Sequence, residues 1–244
     1  LKANNKQGGI KPPLCILGTA ESLKDAPFGD ETVEMWAVGT ATAHKACERA
    51  DRAFEMHPKR YWGQPAVTER YSNFDGPVYM QDHYDEIPNS VSYPYEEVKE
   101  RFHLDAMGDN LYVTNTITWM ILLALYEGYT DISLYGVHMS HETEYAYQRS
   151  SCSWALGIIH GFILEGKPYR LYIAEQSALL KAEYEYGYAE PTKAMQYLQG
   201  RISGLKAGVK EADRKITDLT ERKLRTEGAI SEAHAIYEKL AGFK

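Results

Sequence analysis

The chain has 244 residues, 44% of them hydrophobic and 25% charged, with a formal net charge of −7. That is the composition of a globular protein with a full core, and no apolar run reaches the ~20 residues that a membrane span needs. The charge is uneven, +4 over residues 192–244 and −11 over the rest, so an acidic body argues against a broad nucleic-acid surface and the basic tail reads as a solvated helix face. The 3 cysteines, Cys15, Cys47 and Cys152, are odd in number and widely spaced, which excludes a disulfide framework or zinc ribbon and points to a reducing compartment.

In chain order, residues 1–13 read as a flexible arm. Residues 14–17 (Leu-Cys-Ile-Leu) form a first buried strand, closed by a turn at Gly18 to Ser22. Strands are predicted at 35–38, 52–56, 77–80, 132–135 and 170–173. Helices are predicted at 42–50, 61–73, 95–102, 116–127 and 153–165. Residues 81–110, rich in Pro, Asp and Tyr, read as an irregular excursion around the short helix at 95–102. Strands alternating with helices are the grammar of an open, mostly parallel α/β sheet of Rossmann-like type with helices on both faces. In such sheets the ligand sits beyond the carboxyl ends of the strands. The expected organisation is an arm (1–13), a nucleotide-binding domain (14–190) and a helical coiled-coil appendage (191–244).

The tail carries apolar residues at Leu198, Ile202, Leu205, Val209, Ala212, Ile216 and Leu219, spaced 4, 3, 4, 3, 4, 3, and again at Ile230, Ala233, Tyr237 and Leu240. The first run is three heptads of coiled-coil pattern. The interval of 11 residues between Leu219 and Ile230 reads either as a stutter in one helix or as the turn of a hairpin near 226–228. The scarcity of helix breakers there favours pairing between chains, with Lys223 and Thr226 on the seam. Gly200, Gly204 and Gly208 recur every fourth residue, either for close approach of a partner or as tolerance on a solvent face.

Candidate site residues gather at the predicted strand ends. Gly18, Thr19, Ala20 and Ser22 form a turn whose hydroxyls and amides suit a phosphate, or a plain turn in which Ser22 caps a helix. His57 lies at the end of a strand before Pro58. Thr114, Asn115 and Thr116 open the strongest helix, as a cap or as ligand contacts. The loop at 138–149 holds His138 and His141, and Tyr145, Tyr147 and Arg149 there have the chemistry to stack on a base and pair with a phosphate. His138 and His141, with Glu142 and Glu144 nearby, lack a third metal ligand at a recognisable spacing, and no metal is expected.

These segments, in this order over residues 14–181, resemble the bacterial lipooligosaccharide sialyltransferases. They also resemble a wider group that includes motility-accessory glycosyltransferases, the archaeal hydroxymethylpterin pyrophosphokinase and phage-encoded hypothetical proteins. The family's Gly-x-Gly-x-Ser-Leu turn is matched by Gly18, Ala20, Ser22 and Leu23, its Asn-Pro by His57-Pro58, and its Thr-Ser-Gly by Thr114-Asn115-Thr116. Gly128, Tyr129, Ile132, Leu134 and Gly136 match the most specific motif, and Leu171-Tyr172 with Ser177, Leu179 and Leu180 match the closing strand. The resemblance implies a nucleotide-sugar bound without a metal or other cofactor at residues 18–22, His57, residues 114–116 and the Tyr145–Tyr147 loop. The family's catalytic histidine falls near Ser150 and Ser151 here, which leaves His138, His141 and His57 as the candidate general bases.

The expected protein is therefore a metal-independent transferase with a nucleotide-activated donor. Its location is cytoplasmic, in a host if phage-encoded, and it self-associates through its tail without membrane or nucleic-acid partners. The rival expectations are a non-catalytic nucleotide-binding or phage assembly protein, and a pyrophosphokinase-like enzyme that would need Mg²⁺.

Overall fold

The computed structural model describes residues 11–105, 112–139, 146–182, 185, 187–189 and 192–242. It divides into two units, Leu1–Lys181 and Ala182–Lys244.

The first unit is built on seven parallel strands in the order β5-β4-β3-β2-β1-β6-β7. They are β1 (Leu14–Leu17), β2 (Glu34–Val38), β3 (Arg52–Glu55), β4 (Val78–Met80), β5 (Ser90–Ser92), β6 (Asp131–Tyr135) and β7 (Arg170–Ile173). All four residues of β1 are buried, as expected for a parallel strand covered on both faces. Its alternate side chains enter different cores. Leu14 and Ile16 join one apolar cluster with Trp36, Phe54, Ile132 and Leu134, while Cys15 and Leu17 join another with Met35 and Ala37.

The first face is covered by α3 (Tyr95–Phe102), α4 (Thr116–Glu127) and α5 (Ala146–Leu164). The central helix α4 is apolar nearly all round, and eight of its twelve residues are buried. Asn115 starts it by accepting a hydrogen bond from the Thr118 amide at 2.9 Å, and Gly128 ends it with a left-handed φ of 88°. These are the expected start and stop signals of a helix. The second face carries shorter elements: 3-10 turns at Glu21–Asp25 and Ala41–Ala43, and the helices α1 (Lys59–Trp62) and α2 (Pro65–Ser72).

Three expectations change. The helix at 42–50 is only the 3-10 turn Ala41–Ala43. The chain beyond it is drawn off by Arg49, whose guanidinium donates to the carbonyls of Phe28, Asp30 and Val33. The helix at 61–73 is two helices, because Pro65 begins α2 where a missing amide costs nothing and cannot lie inside a continuous helix. The excursion at 81–110 adds strand β5, whose Ser-Val-Ser sequence is too short and polar to betray an edge strand. In addition α5 begins at Ala146, seven residues earlier than expected, so Tyr147 and Arg149 are helical rather than in a loop.

At the amino ends of the strands, Arg52 organises a polar cluster. Its Nε lies 2.8 Å from Glu34 and its Nη1 2.8 Å from Glu127 at the end of α4. It also donates to the hydroxyls of Tyr79 and Tyr129, and its guanidinium stands 4.6 Å from the Trp36 ring. The Tyr129 hydroxyl donates to Glu34 in turn. Burial alone would lower the guanidinium's pKa, but the bonded Glu127 and the nearby Glu34 outweigh it and raise it further. β2, β3 and α4 are thereby tied together at the end of the sheet opposite the cleft.

The second unit contains α6 (Lys193–Ala241), one continuous helix of 49 residues. It runs unbroken through residues 226–228, so the hairpin reading is overturned. No helix among the described residues is long and apolar enough to cross a membrane.

Arg52→Met removes the shared cation and leaves two half-desolvated carboxylates facing each other. It is expected to destabilise the fold by about 3–5 kcal/mol, the cost of breaking a buried ion pair from one side. Denaturant unfolding checks this, with Arg170→Met, whose ion pair with Asp131 is largely exposed, expected to change stability by less than about 1 kcal/mol.

Candidate functional site

The strand order reverses between β1 and β6: successive strands step away from β1 in one direction up to β5, and β6 then returns to its other side. Such a reversal opens a crevice beyond the carboxyl ends, because the two following loops leave in opposite directions. Here the loops begin at Gly18 and Gly136. The Gly18 amide donates to the Tyr135 carbonyl at 2.8 Å and the Ala20 amide to the Gly136 carbonyl at 2.9 Å. A Cβ on Gly18 would lie 2.3 Å from the Gly136 oxygen, and one on Gly136 would lie 2.6 Å from the Gly18 oxygen. Gly136 also has a φ of +69°, a conformation open to glycine and strained for other residues.

Above this junction lies a cavity of about 700 Å³, within the ~300–1,000 Å³ usual for small-molecule sites. Six segments line it. The first strand's turn contributes Gly18, Thr19 and Ala20, and the end of β2 contributes Val38, Gly39 and Thr40. Glu55, His57 and Tyr61 come from the end of β3 and the start of α1. Thr114, Asn115, Thr116 and Ile117 open α4, and Val137, His138 and Met139 follow β6, with Gln148 of α5 beside them. The structure thus brings Gly18, Thr19, Ala20, His57, Thr114, Asn115, Thr116 and His138 to one cleft.

Several expected residues play other parts. Ser22 does not line the cleft. It is buried, accepts a hydrogen bond from the Gly136 amide at 2.8 Å and meets His138 Nε2 at 2.9 Å. The Ser22 oxygen has room for a second hydrogen bond besides that from Gly136, and the contact with His138 ties the ring to the junction whichever of the two donates. Burial lowers the His138 pKa. His138 therefore helps to hold the junction while it lines the cleft. The phosphate reading of the first turn also narrows, since the Gly18 and Ala20 amides are already bonded. Tyr147 and Arg149 lie in the first turn of α5 and do not line the cleft, while His141 and Tyr145 lie outside the described residues.

The turn before α4 is held from behind. Thr114 Oγ1 donates to the Tyr147 carbonyl at 3.3 Å and Asn115 Nδ2 to the Gln148 carbonyl at 3.1 Å. Ser151, fully buried, donates to the Tyr112 carbonyl at 2.7 Å and accepts from the Thr114 amide at 3.3 Å. The position where the resemblance placed a catalytic histidine is thus a peg under the turn. What α4 offers the cleft is its first turn, in which the Thr116 and Ile117 amides have no intrahelical partner and the helix dipole is positive. Ser177, from the closing motif, donates to the Val137 carbonyl at 2.7 Å, and the Ala178 amide donates to the His138 carbonyl at 2.9 Å. Those bonds fix the wall formed by residues 137–139.

Two residues missed in the sequence complete the site. Glu55, the last residue of β3, is 7% exposed. Its Oε2 accepts from the buried Tyr71 hydroxyl at 2.6 Å, and its Oε1 accepts from the His57 amide at 3.0 Å and faces His57 Nδ1 at 2.6 Å. Because both carboxylate oxygens accept, the ring's Nδ1 is the donor, and in the neutral ring it is Nε2 that carries the lone pair. No described residue bonds that Nε2. The His57 backbone is fixed by Trp62, whose indole donates to its carbonyl at 3.1 Å. Gly39 makes room for the array, since a Cβ there would lie 2.0 Å from the Tyr71 hydroxyl oxygen. Burial, with help from Glu55, holds the Tyr71 pKa well above the ordinary phenol value, so the phenol stays a donor. Glu55 carried one sequence signal: an acidic residue closing an otherwise apolar strand two positions before a histidine. Tyr71 carried none, since only the fold brings α2 over β3. Tyr61, half-exposed with its ring 5.5 Å from that of His57, is the aromatic face available for stacking in place of Tyr147.

No family model matches this chain, and no curated protein matches it. Among solved structures it is similar to the sialyltransferase CstII from Campylobacter jejuni in complex with cytidine-5'-monophosphate, at 14% identity and a TM-score of 0.47, over 79% of this chain and 99% of that one. A second structure of CstII, with the substrate analogue CMP-3FNeuAc, gives 13% identity and a TM-score of 0.46 over 79% and 98%. A third, with a trisaccharide acceptor and CMP, gives 11% and 0.46 over 78% and 98%.

Gly18→Ala is expected to cost about 1–3 kcal/mol or more, because its methyl group meets backbone that cannot rotate away. Gly157→Ala, with open space around its Cβ on helix α5, is expected to be neutral or to stabilise by up to about 1 kcal/mol. Thermal unfolding of the two variants checks the contrast.

Proposed function

We propose that the protein is a transferase that binds a nucleotide-activated sugar in the cleft above Gly18 and Gly136 and passes the sugar to a hydroxyl acceptor without a metal. The observation that carries this is the Tyr71–Glu55–His57 array at the edge of the same cleft as the amino terminus of α4. The array supplies an oriented base, and the helix supplies a site for negative charge. The sequence resemblance to nucleotide-sugar transferases over residues 14–181 supports the choice of donor.

In this reading the acceptor oxygen attacks the anomeric carbon and forms the new C–O bond. The bond from that carbon to the nucleotide's phosphate oxygen breaks. The acceptor's proton passes to His57 Nε2, and Glu55 steadies the resulting imidazolium through Nδ1–H, as the carboxylate of a catalytic triad does. The phosphate leaves with its negative charge facing the Thr116 and Ile117 amides. Among the described residues that line the cleft there is no lysine or arginine, and backbone dipoles carry the work of holding the anion. Tyr61 stacks on the base or the sugar.

Transfer or slow donor hydrolysis is to be assayed with a panel of CMP-, UDP- and GDP-sugars, with and without chelator. His57→Ala is expected to lower turnover by ~10²–10⁴-fold with donor affinity unchanged. Glu55→Gln lowers turnover while keeping the fold, and chelator has no effect. Full turnover in His57→Ala removes the histidine from the mechanism, and activity that requires Mg²⁺ favours the pyrophosphokinase-like alternative.

A further inference from the structure

Helix α6 runs for 49 residues, about 73 Å, and none of its residues is buried. Its large apolar side chains are at least half-exposed along the whole seam, including Leu198 at 53%, Ile216 at 61% and Leu240 at 69%. The continuity of the helix settles the phase of the pattern. The 11 residues from Leu219 to Ile230 divide as 4, 3 and 4 through Lys223 and Thr226, so one unbroken heptad register extends from Leu198 to Leu240. In that register Ile202, Val209, Ile216 and Ile230 share one position, a, with Lys223 and Tyr237, while Leu198, Leu205, Leu219 and Leu240 share the other, d, with Ala212, Thr226 and Ala233.

We infer that α6 pairs with α6 of a second copy as a parallel, in-register, two-stranded coiled coil. β-Branched residues at a with leucine at d favour two strands in parallel coils, because only then does a face a and d face d. An antiparallel pair would mix the two sets and lose the segregation. Lys223 is the one charged residue at an a position. A single polar residue there fixes register and strand number at some cost in stability, and a lysine extends its ammonium to the rim of a two-stranded core. In the parallel arrangement Arg222 faces the second copy's Glu227, which also lies 3.6 Å from Lys223 within its own helix. One like-charged cross-pair, Arg201 with Lys206, falls near the amino end.

The area is sufficient. Nine large apolar side chains on the seam, at roughly 60–120 Å² apiece, bury roughly 1,100–2,200 Å² between two chains, the span of a standard specific interface. The glycines at 200, 204 and 208 fall at f, c and g positions, off the seam, and are not needed for the contact.

Light scattering of the full chain is expected to give twice the 27.7 kDa chain mass. Ile216→Asp combined with Leu219→Asp is expected to return it to one chain mass while the thermal transition of the α/β unit is retained. In a Cys47→Ser background, Leu198→Cys oxidises to a covalent dimer, whereas a mixture of Leu198→Cys and Leu240→Cys chains gives no mixed product. A mass of one chain, or of three or four, overturns the inference. So do cross-links between 198 and 240 in place of those between 198 and 198.

Discussion

Two glycines touching backbone to backbone determine the rest of this molecule. The Gly18 and Gly136 loops leave adjacent strands in opposite directions, and each carbonyl occupies the space where the other residue would carry a Cβ. Any side chain at either position pushes β1 and β6 apart at their carboxyl ends. With none, the strands stay paired to their last residues, Leu17 opposite Tyr135, and the chain turns sharply on both sides. The cleft is the volume left between those two turns. Ser22 and His138 clamp the junction from the side, bonded to the Gly136 amide and to each other.

The Arg52 cluster and the cleft lie at opposite ends of the sheet. At the amino ends, Arg52 gathers two carboxylates, two phenols and an indole into one satisfied cluster. At the carboxyl ends, Glu55 has a similar density of hydrogen bonds, but one ring nitrogen of its histidine partner is left open to the cleft. Residues three positions apart on β3 thus do opposite work. Arg52 closes a network, and Glu55 orients a histidine whose second ring nitrogen no described residue bonds. Two of three histidine candidates differ in their partners: both line the cleft, where Nε2 of His138 is bonded to Ser22 and no described residue bonds Nε2 of His57.

The sheet was legible because its central strands are short apolar runs bounded by glycine and proline, and α4 because Asn115 and Gly128 mark its ends. The cleft's floor was legible for the same reason, since strand ends follow from strands. Three kinds of information were not. Helix breaks on the second face depend on where Arg49 draws the chain and on what Pro65 permits. Partnerships such as Tyr71 with Glu55 join residues whose separation in sequence says nothing about contact. The state of a serine or histidine depends on which neighbour takes its proton: Ser22 looked like a phosphate ligand and is a buried clamp. In the tail, the heptad positions were readable but their phase was not, until one continuous helix made the interval after Leu219 part of the repeat.

The central claim is that the cleft above the glycine junction binds a nucleotide-activated donor through the first turn of α4 and the loops after β1 and β6. Its most direct test is a titration of nucleotides and nucleotide-sugars into isotopically labelled protein, followed by amide resonances. The account predicts saturable shifts at Thr19, Gly136, Thr116 and Ile117 for at least one of these ligands, with α6 unaffected. Shifts confined to other parts of the molecule, or none across the whole panel, would contradict it.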